Sequence, residues 1–123
     1  MKIKVQGKVK SKYGDISIRL EVIQYDEDGC KMLYCPALDV IGYGHSEEEA
    51  EHSFSITLQQ FLDYTLENGT LHQVLSGLGW KIGKEVTPPL MSDMIPKNDS
   101  LREIVDGMPY TKAYSEISLP ALA

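Results

Sequence analysis

Charged and aliphatic side chains alternate along the first part of the chain, a pattern typical of β-strands with one buried face. Residues 2–9 alternate in this way and predict a first strand. Residues 16–25 alternate more strongly and predict a second strand. One face of that second strand would carry Ile16, Ile18, Leu20 and Val22, and the other face Ser17, Arg19 and Glu21.

Two further strands are predicted after a turn at residues 26–29. The sequence Asp-Glu-Asp-Gly there has the composition of a tight turn, and Gly29 can adopt a positive φ angle. The apolar run of residues 30–35 predicts the next strand, which Pro36 ends because proline has no N–H to donate within a sheet. Residues 40–44 predict another strand that ends in a glycine-rich turn. Three consecutive strands of this kind predict an antiparallel meander.

A long amphipathic helix follows, with a clear beginning and end in the sequence. Ser46 and Glu49 form a capping box, and three consecutive glutamates fall in the first turn, where the helix dipole favours anions. Gly69, just after Asn68, supplies the C-terminal signal. We therefore predict a helix from Glu47 to Asn68 that lies across the sheet. Its apolar stripe comprises Ala50, Phe54, Leu58, Phe61, Leu62 and Thr65.

The remaining segments complete an α+β fold. Thr70 is expected to cap a short helix that runs to residue 75, and residues 80–86 predict a further strand. Residues 88–98 have the composition of a linker, and a short helix over 99–106 and a terminal strand over 113–119 follow it. The predicted architecture is an antiparallel meander sheet with one long helix packed on it, a short helix, and a C-terminal extension that ends in a strand.

Length and charge limit the classes of function. A chain of 123 residues fits a single domain. Its 12 lysine and arginine side chains against 18 acidic ones give a formal charge of −6, which repels phosphate backbones and disfavours direct nucleic-acid binding. The exception is a series of N-terminal lysines, which we interpret as a solvated edge strand that resists aggregation and not as a phosphate-binding stripe. These are Lys2, Lys4, Lys8, Lys10 and Lys12.

Neither the cysteines nor the histidines predict a disulfide or a metal site. Cys30 and Cys35 lie five positions apart in one predicted strand, where they would point to opposite faces, so a disulfide between them is not expected. His45, His52 and His72 lack the spacing of metal ligands. No signal peptide or transmembrane run is apparent. The sequence therefore predicts a cytoplasmic protein with no cofactor, no metal and no membrane partner.

Two motifs lie on either side of the third strand of the meander. The first is Met32-Leu33-Tyr34-Cys35-Pro36-Ala37-Leu38-Asp39, and the second is Gly44-His45-Ser46-Glu47-Glu48-Glu49-Ala50. Together they match a pattern of an aromatic or aliphatic strand, a Pro-x-Leu turn and a Gly-x-Ser/Thr-x-Glu-Glu-Ala helix start followed by a long amphipathic helix. On these residues, the stretch from Ile16 to Leu66 resembles the HicB-type antitoxin family.

The resemblance implies a fold, a partner and an assembly. The fold would be a truncated ribonuclease-H-like domain, formed by residues 1–87, that often self-associates as a dimer. The partner would be a small basic ribonuclease toxin with a double-stranded-RNA-binding-domain fold, which the antitoxin covers and silences. An acidic chain suits that role because complementary charge speeds encounter. Residues 88–123 would be a C-terminal extension packed on the same domain or on a dimer partner.

The extension departs from the family pattern. Members usually carry a helix-turn-helix or ribbon-helix-helix module that binds their own promoter. Residues 88–123 contain one short predicted helix and no cluster of arginine or lysine typical of a recognition helix, so binding to promoter DNA is not expected. The apolar side chains of the extension are instead expected to add sheet or dimer contacts. These are Tyr110, Tyr114, Ile117 and Leu119.

Five carboxylates are candidates for a catalytic site, because ribonuclease-H-like enzymes hold two divalent metals on converging acidic side chains. Hydrogen bonding in turns explains the four aspartates among them, and the helix dipole explains the one glutamate. None of the five lies in the middle of a predicted core strand. A nucleophilic Cys35 would need a positioned base, so a buried strand cysteine is the preferred interpretation. The carboxylate candidates are Asp15, Asp26, Asp28, Asp39 and Glu47.

Three strand tyrosines are the predicted partner-binding residues. An aromatic row of Tyr25, Tyr34 and Tyr43 without basic neighbours suits a protein interface better than a nucleotide strand. The leading hypothesis is an antitoxin-like binding protein, not an enzyme, that occludes a small basic RNA-cleaving toxin of a type II toxin–antitoxin system. The alternative is an orphan structural or regulatory homodimer without a toxin partner. A metal-dependent nuclease is the least favoured of the three hypotheses.

Overall fold

The computed structural model describes residues 2–4 and 16–119, with side chains described from residue 16 onward. These residues form an α+β fold, as predicted. The described strands are β1 (Lys2–Lys4), β2 (Ile16–Glu27), β3 (Cys30–Cys35), β4 (Val40–Gly44), β5 (Lys81–Ile82), β6 (Val86–Thr87) and β7 (Tyr110–Leu119). The described helices are α1 (Glu47–Glu67), α2 (Leu71–Gly77), α3 (Met91–Met94) and α4 (Asp99–Gly107), with a 3₁₀ turn at Ile95–Lys97.

The main sheet has the strand order β1-β7-β2-β3-β4. Strands β2, β3 and β4 form the predicted antiparallel meander. The terminal strand β7 pairs antiparallel with β2, from Tyr25 opposite Tyr110 to Ile16 opposite Leu119. Strand β1 runs parallel to β7, so the sheet is not wholly antiparallel. Residues 2–4 lie at the sheet edge, as predicted for the lysine-bearing strand, and the rest of that predicted strand lies outside the described residues.

Helix α1 begins and ends at the predicted positions. The Ser46 hydroxyl accepts a hydrogen bond from the N–H of Glu49 at 3.2 Å, which satisfies one free donor of the first turn. The reciprocal bond of a capping box is shifted by one residue, because the Glu49 carboxylate accepts from the N–H of His45 at 2.9 Å and not from that of Ser46. At the other end, Asn68 caps the helix, and Gly69, with φ of +65°, ends it.

The larger hydrophobic core lies between α1 and one face of the sheet. Phe54, Leu58 and Leu62 of the predicted apolar stripe are buried there, while Phe61 lies partly buried at its border. Helix α2 closes one end of this core with two buried leucines, and Trp80 packs beside them. The predicted cap of α2 was wrong, because the Thr70 hydroxyl makes no capping hydrogen bond.

Helix α1 approaches the edge strand β4 more closely than a side chain on the strand would allow. A Cβ atom on Gly42 would lie 2.4 Å from the backbone nitrogen of Phe54 and 2.5 Å from its Cα. A Cβ atom on Gly44 would lie 2.4 Å from the Cβ of Glu49. Because the neighbours of Gly42 include backbone atoms, they have no flexible side chain to move aside. Glycine at this position is what lets the helix lie directly on the strand.

A second, smaller core lies on the opposite face of the sheet. Helices α3 and α4 cover Ile23, Tyr25 and Tyr34 there, and Met91 is buried among them. Residues 91–98 were expected to form a linker; they form α3 and the 3₁₀ turn because their apolar side chains pack against this second core. The start of α4 is fixed by Asn98, whose side-chain oxygen accepts from the third N–H of the helix at 3.0 Å. The centre of the sheet is therefore covered on both faces.

Three strand predictions differ from the structure, and the first is that β2 extends two residues further than predicted, to Glu27. The predicted strand over 80–86 is a short hairpin of β5 and β6, separate from the main sheet. The chain reverses near Gly83, whose N–H donates to the carbonyl of Glu85 at 3.2 Å. Strand β7 begins at Tyr110 and not at Ala113, because its pairing with β2 extends to that residue. The division of the chain after residue 87 stays a prediction.

Replacing Gly42 by alanine tests the close approach of α1 to β4. The added Cβ would meet backbone atoms of Phe54, so we expect the free energy of unfolding to fall by about 1–3 kcal/mol. Gly77→Ala is the matched control, because a Cβ there meets nothing within 4 Å and alanine favours a helix. Urea denaturation followed by circular dichroism measures both variants. Equal stabilities would contradict this account of the packing.

Candidate partner-binding surface

The Pro-x-Leu motif forms the tight turn between β3 and β4. The N–H groups of Leu38 and Asp39 donate to the carbonyl groups three residues earlier, each at 3.3 Å. Asp39 has a positive φ of 54°, which aspartate tolerates better than most residues. The indole N–H of Trp80 donates to the carbonyl of Ala37 at 2.7 Å and ties the turn to the larger core. The position of β4 is thus fixed by this turn and by α1.

The side chains of β4 point alternately to the two faces of the sheet. Gly42 faces α1, whereas Ile41 and Tyr43 point to the opposite face. On that face, Ile41 lies opposite Tyr34 of β3, and Tyr43 lies opposite Met32. The exposed fractions are 41% for Ile41 and 61% for Tyr43. The cover that α3 and α4 provide on this face therefore stops short of β4.

The outer backbone edge of β4 is partly occupied by α1. The N–H of Tyr43 donates to the hydroxyl of Ser53 at 3.2 Å. A partner strand added along β4 would compete for that donor, because strand addition relies on main-chain hydrogen bonds. Helix α1 therefore protects the edge against strand pairing. A partner can therefore contact β4 through the side chains of the strand.

The structure buries two of the three predicted partner-binding tyrosines. Tyr25 and Tyr34 are only 6% and 7% exposed, so the expectation of one exposed aromatic row was wrong. The physical reason is that Leu101 and Ile104 of α4 form a hydrophobic cluster with these tyrosines, and the sequence did not predict the path of this segment. Tyr43 is the exposed member of the three. Its role in partner binding stays a prediction.

Tyr34 links the C-terminal segment to the turn between β3 and β4. Its hydroxyl donates to a carboxylate oxygen of Asp39 at 3.0 Å and accepts from the side-chain N–H of Asn98 at 3.1 Å. Burial raises the pKa of Tyr34 to about 12, so the hydroxyl stays protonated and can donate. Through this pair of hydrogen bonds, the start of α4 is held against β3.

An open groove of about 1190 Å³ lies between Ile41 of β4 and the segments of residues 77–81 and 87–100, and Tyr34 also lines it. Its charged lining residues are Asp39, Asp93, Asp99, Lys81 and Lys97. Asp99 is paired with Arg102 outside the lining. The remaining charges balance in number, with Asp39 and Asp93 against Lys81 and Lys97. The groove therefore does not select ligands by the sign of their charge.

Carboxylates concentrate at one end of the sheet. The last part of β2 and the first turn of α1 meet there, because the side-chain amide of Gln24 donates to the carboxylate of Glu47 at 3.2 Å. Lys31 pairs with Asp26 at 3.0 Å and offsets one of these negative charges. We call this region the acidic end. It comprises the exposed side chains of Asp26, Glu27, Asp28, Glu47, Glu48 and Glu49.

Neighbouring titratable groups respond to the negative charge of the acidic end. Burial, together with the charges of Glu47 and Glu48, raises the pKa of Glu51. Burial and the charge of Glu27 likewise raise the pKa of Tyr25. The free energy of this repulsion falls when a cation approaches, which favours a positively charged partner at this end.

The carboxylates considered for metal-dependent catalysis are distributed over separate elements. Asp26 lies near the end of β2, Asp28 lies in the turn after β2, Asp39 lies in the following turn, and Glu47 begins α1. Within residues 16–119, no group of three or more histidine, cysteine, aspartate or glutamate side chains is arranged to hold a metal ion. Asp15 lies outside the described residues.

Comparison with known proteins gives no family assignment: no family model, curated protein or solved structure matches the chain. Among the helices that the structure describes, none is both long enough and apolar enough to span a membrane. The function is therefore inferred from the surface of the molecule, together with the motifs on either side of β4.

Ile41 is the exposed residue of this surface that the sequence analysis missed. Its signal lies in the alternation along β4, where Gly42 and Gly44 fall on one face of the strand. Two glycines on one face indicate that another element packs closely there. The intervening side chains must then point to the other face. Tyr43 was identified by its aromatic character, and the same alternation would have identified Ile41.

The two cysteines test the assignment of buried and exposed positions. Both thiols are free, and Cys35 lies in the larger core, where burial raises its pKa to about 12. Cys30 is partly exposed. We therefore expect dithiobis(nitrobenzoate) at about pH 8 to label one thiol in the native protein and both thiols in urea. The native reaction should disappear in Cys30→Ser, and rapid labelling of that variant would contradict the assignment.

Proposed function

We propose that this chain is an antitoxin-like binding protein of the HicB type that occludes a small basic RNA-cleaving toxin of a type II toxin–antitoxin system. It acts by covering its partner and not by catalysis. A partial ribonuclease-H-like fold, a cytoplasmic location and self-association as a dimer are parts of the same proposal. The fold and the dimer follow from the resemblance carried by residues 32–50, and the location follows from two cysteines that are not expected to form a disulfide.

The observation that carries the proposal is the acidic excess of the chain. Its 18 acidic side chains outnumber its 12 lysines and arginines, which gives a formal charge of −6. Such a charge repels nucleic acid and attracts a cationic protein. A ribonuclease needs cationic side chains to hold RNA phosphates. A ribonuclease is therefore a cationic protein that an acidic binder can attract and cover.

The arrangement of residues 32–50 supports a binding role. These residues form β3, its turn, β4 and the start of α1 as one continuous unit. The unit presents the large exposed side chains of Ile41 and Tyr43 on one face of β4, and the exposed glutamates of the first turn of α1 follow β4 along the chain. Exposed apolar side chains bordered by charged ones are typical of protein interfaces, and tyrosine is enriched there.

Co-expression tests the proposed function. Each small basic protein encoded beside the gene is expressed with a tag, with and without this chain. We expect one of them to arrest growth and cleave RNA alone, and to copurify with this chain in an inactive complex. The complex should weaken as salt rises, because its charges are then screened. Failure of every such protein to bind the chain would contradict the proposal, and a dimer without a partner would favour the orphan homodimer.

A further inference from the structure

We propose that the docking surface for the basic partner consists of Ile41 and Tyr43 on β4 together with the acidic end. Its occupant is a segment of a basic protein in which cationic side chains flank an apolar one. This inference rests on the proposed function and assigns it to particular residues. We call Ile41 and Tyr43 the apolar pair.

Strand register places the apolar pair beside the acidic end. Tyr43 lies opposite Met32, which in turn lies opposite Tyr25, so the three form one row across the sheet. The next row runs from Gly44 to Asp26. Asp26 in that row points to the α1 face, whereas Glu27, two rows and two strands from Tyr43, points to the same face as Tyr43. A partner segment that runs from Tyr43 across β3 can therefore reach Glu27 with a long cationic side chain.

The apolar pair is exposed on a face of the sheet where the neighbouring strand tyrosines are buried. Tyr25 and Tyr34, on the same face, are buried by α4, whereas Ile41 and Tyr43 remain 41% and 61% exposed. The free energy falls when a partner removes side chains of this size and exposure from water. Tyrosine also frequently contributes a large share of the energy of an interface. The pair therefore provides the apolar contact that a purely acidic surface would lack.

A basic segment fits this surface better than the other possible occupants. A second copy of the chain would bring two acidic ends together, which costs free energy. An added β-strand would compete with Ser53 for the N–H of Tyr43. The groove, which Ile41 also lines, has balanced charges and gives a cationic ligand no preference. The surface therefore binds through side chains, with cations at the carboxylates and an apolar group on Ile41 and Tyr43.

This geometry also explains how binding would silence a ribonuclease. The carboxylates of the acidic end would occupy the cationic side chains that otherwise hold RNA phosphates. RNA and the antitoxin would then compete for the same charges, so the partner is inactive while it is bound. No catalytic group of the partner needs to be altered.

Titration with a defined peptide tests the docking surface without the toxin. The probe is a short peptide of alternating arginine and leucine, added to the ¹⁵N-labelled full chain and compared with a glutamate–leucine peptide. We expect only the arginine peptide to shift amide resonances, and the shifts to map to Ile41, Tyr43 and the acidic end. Shifts centred on Leu90 and Asp93 of the groove, or no binding at about 1 mM peptide, would overturn the proposal.

A matched pair of double variants tests the apolar contact. Ile41→Ser with Tyr43→Ser removes the apolar pair, whereas Ile56→Ser with Tyr64→Ser removes the same two residue types from α1, where they are 46% and 69% exposed. We expect the first double variant to weaken peptide binding at least about fivefold and the second to change it less than about twofold. Equal effects of the two double variants would show that the apolar pair is not the docking surface.

A second matched pair tests the charges. Glu27→Gln with Asp28→Asn removes two charges from the acidic end, and Glu103→Gln with Asp106→Asn removes two from exposed positions on α4. We expect only the first pair to weaken binding and to reduce its dependence on salt, because only those carboxylates contact the peptide. The same loss of affinity in both would mean that overall charge, and not the acidic end, attracts the peptide.

The docking surface and the proposed function can fail separately. If a toxin is found and the Ile41→Ser, Tyr43→Ser variant neutralises it as well as the unmodified chain does, the surface is wrong and the antitoxin function stands. If the peptide maps to the surface but no small basic protein encoded beside the gene is bound, the antitoxin function is wrong and the surface stands as a site for another basic protein.

Discussion

The close packing of α1 on β4 is the constraint on which the rest of the candidate surface depends. Gly42 leaves no side chain between the helix and the edge strand, so the backbone of Phe54 lies almost directly on the strand. At that distance, Ser53 can bond the N–H of Tyr43 and protect the strand edge. One face of β4 is then filled by the helix and its edge is occupied. The bulky side chains of β4, Ile41 and Tyr43, must point to the opposite face.

The C-terminal segment decides how much of that opposite face stays accessible. Its helices bury Ile23, Tyr25 and Tyr34, and its strand β7 pairs with β2 along the whole length from Tyr110 to Leu119. The hydrogen bonds of the Tyr34 hydroxyl fix the start of α4 at β3. Because this cover stops at β3, the segment both stabilises the sheet centre and defines the border of the exposed strip on β4.

The sequence predicted the elements whose signals are local. Alternation gave the meander, and Ser46 with Gly69 gave both ends of α1, because caps and turns depend on neighbouring residues. It failed where long-range packing decides the structure: residues 91–98 form helical turns only because Met91 meets the second core, and Tyr25 is buried only because α4 lies over it. Alternation shows which residues of a strand share a face of the sheet. It does not show whether that face is buried, because the helix that covers it comes from a distant part of the chain.

The positively charged strand β1 lies far from the exposed side chains of β4. Strand β1, with Lys2 and Lys4, lies at one edge of the sheet, and β4 lies at the other edge. With a spacing of about 4.8 Å between neighbouring strands, the two edges are about 19 Å apart. Salt screens charges over about 8 Å at physiological ionic strength, so charges on β1 exert little effect beside β4. A basic protein would therefore meet an acidic surface beside Tyr43 on which Lys31 offsets one carboxylate, and this asymmetry would orient it before contact.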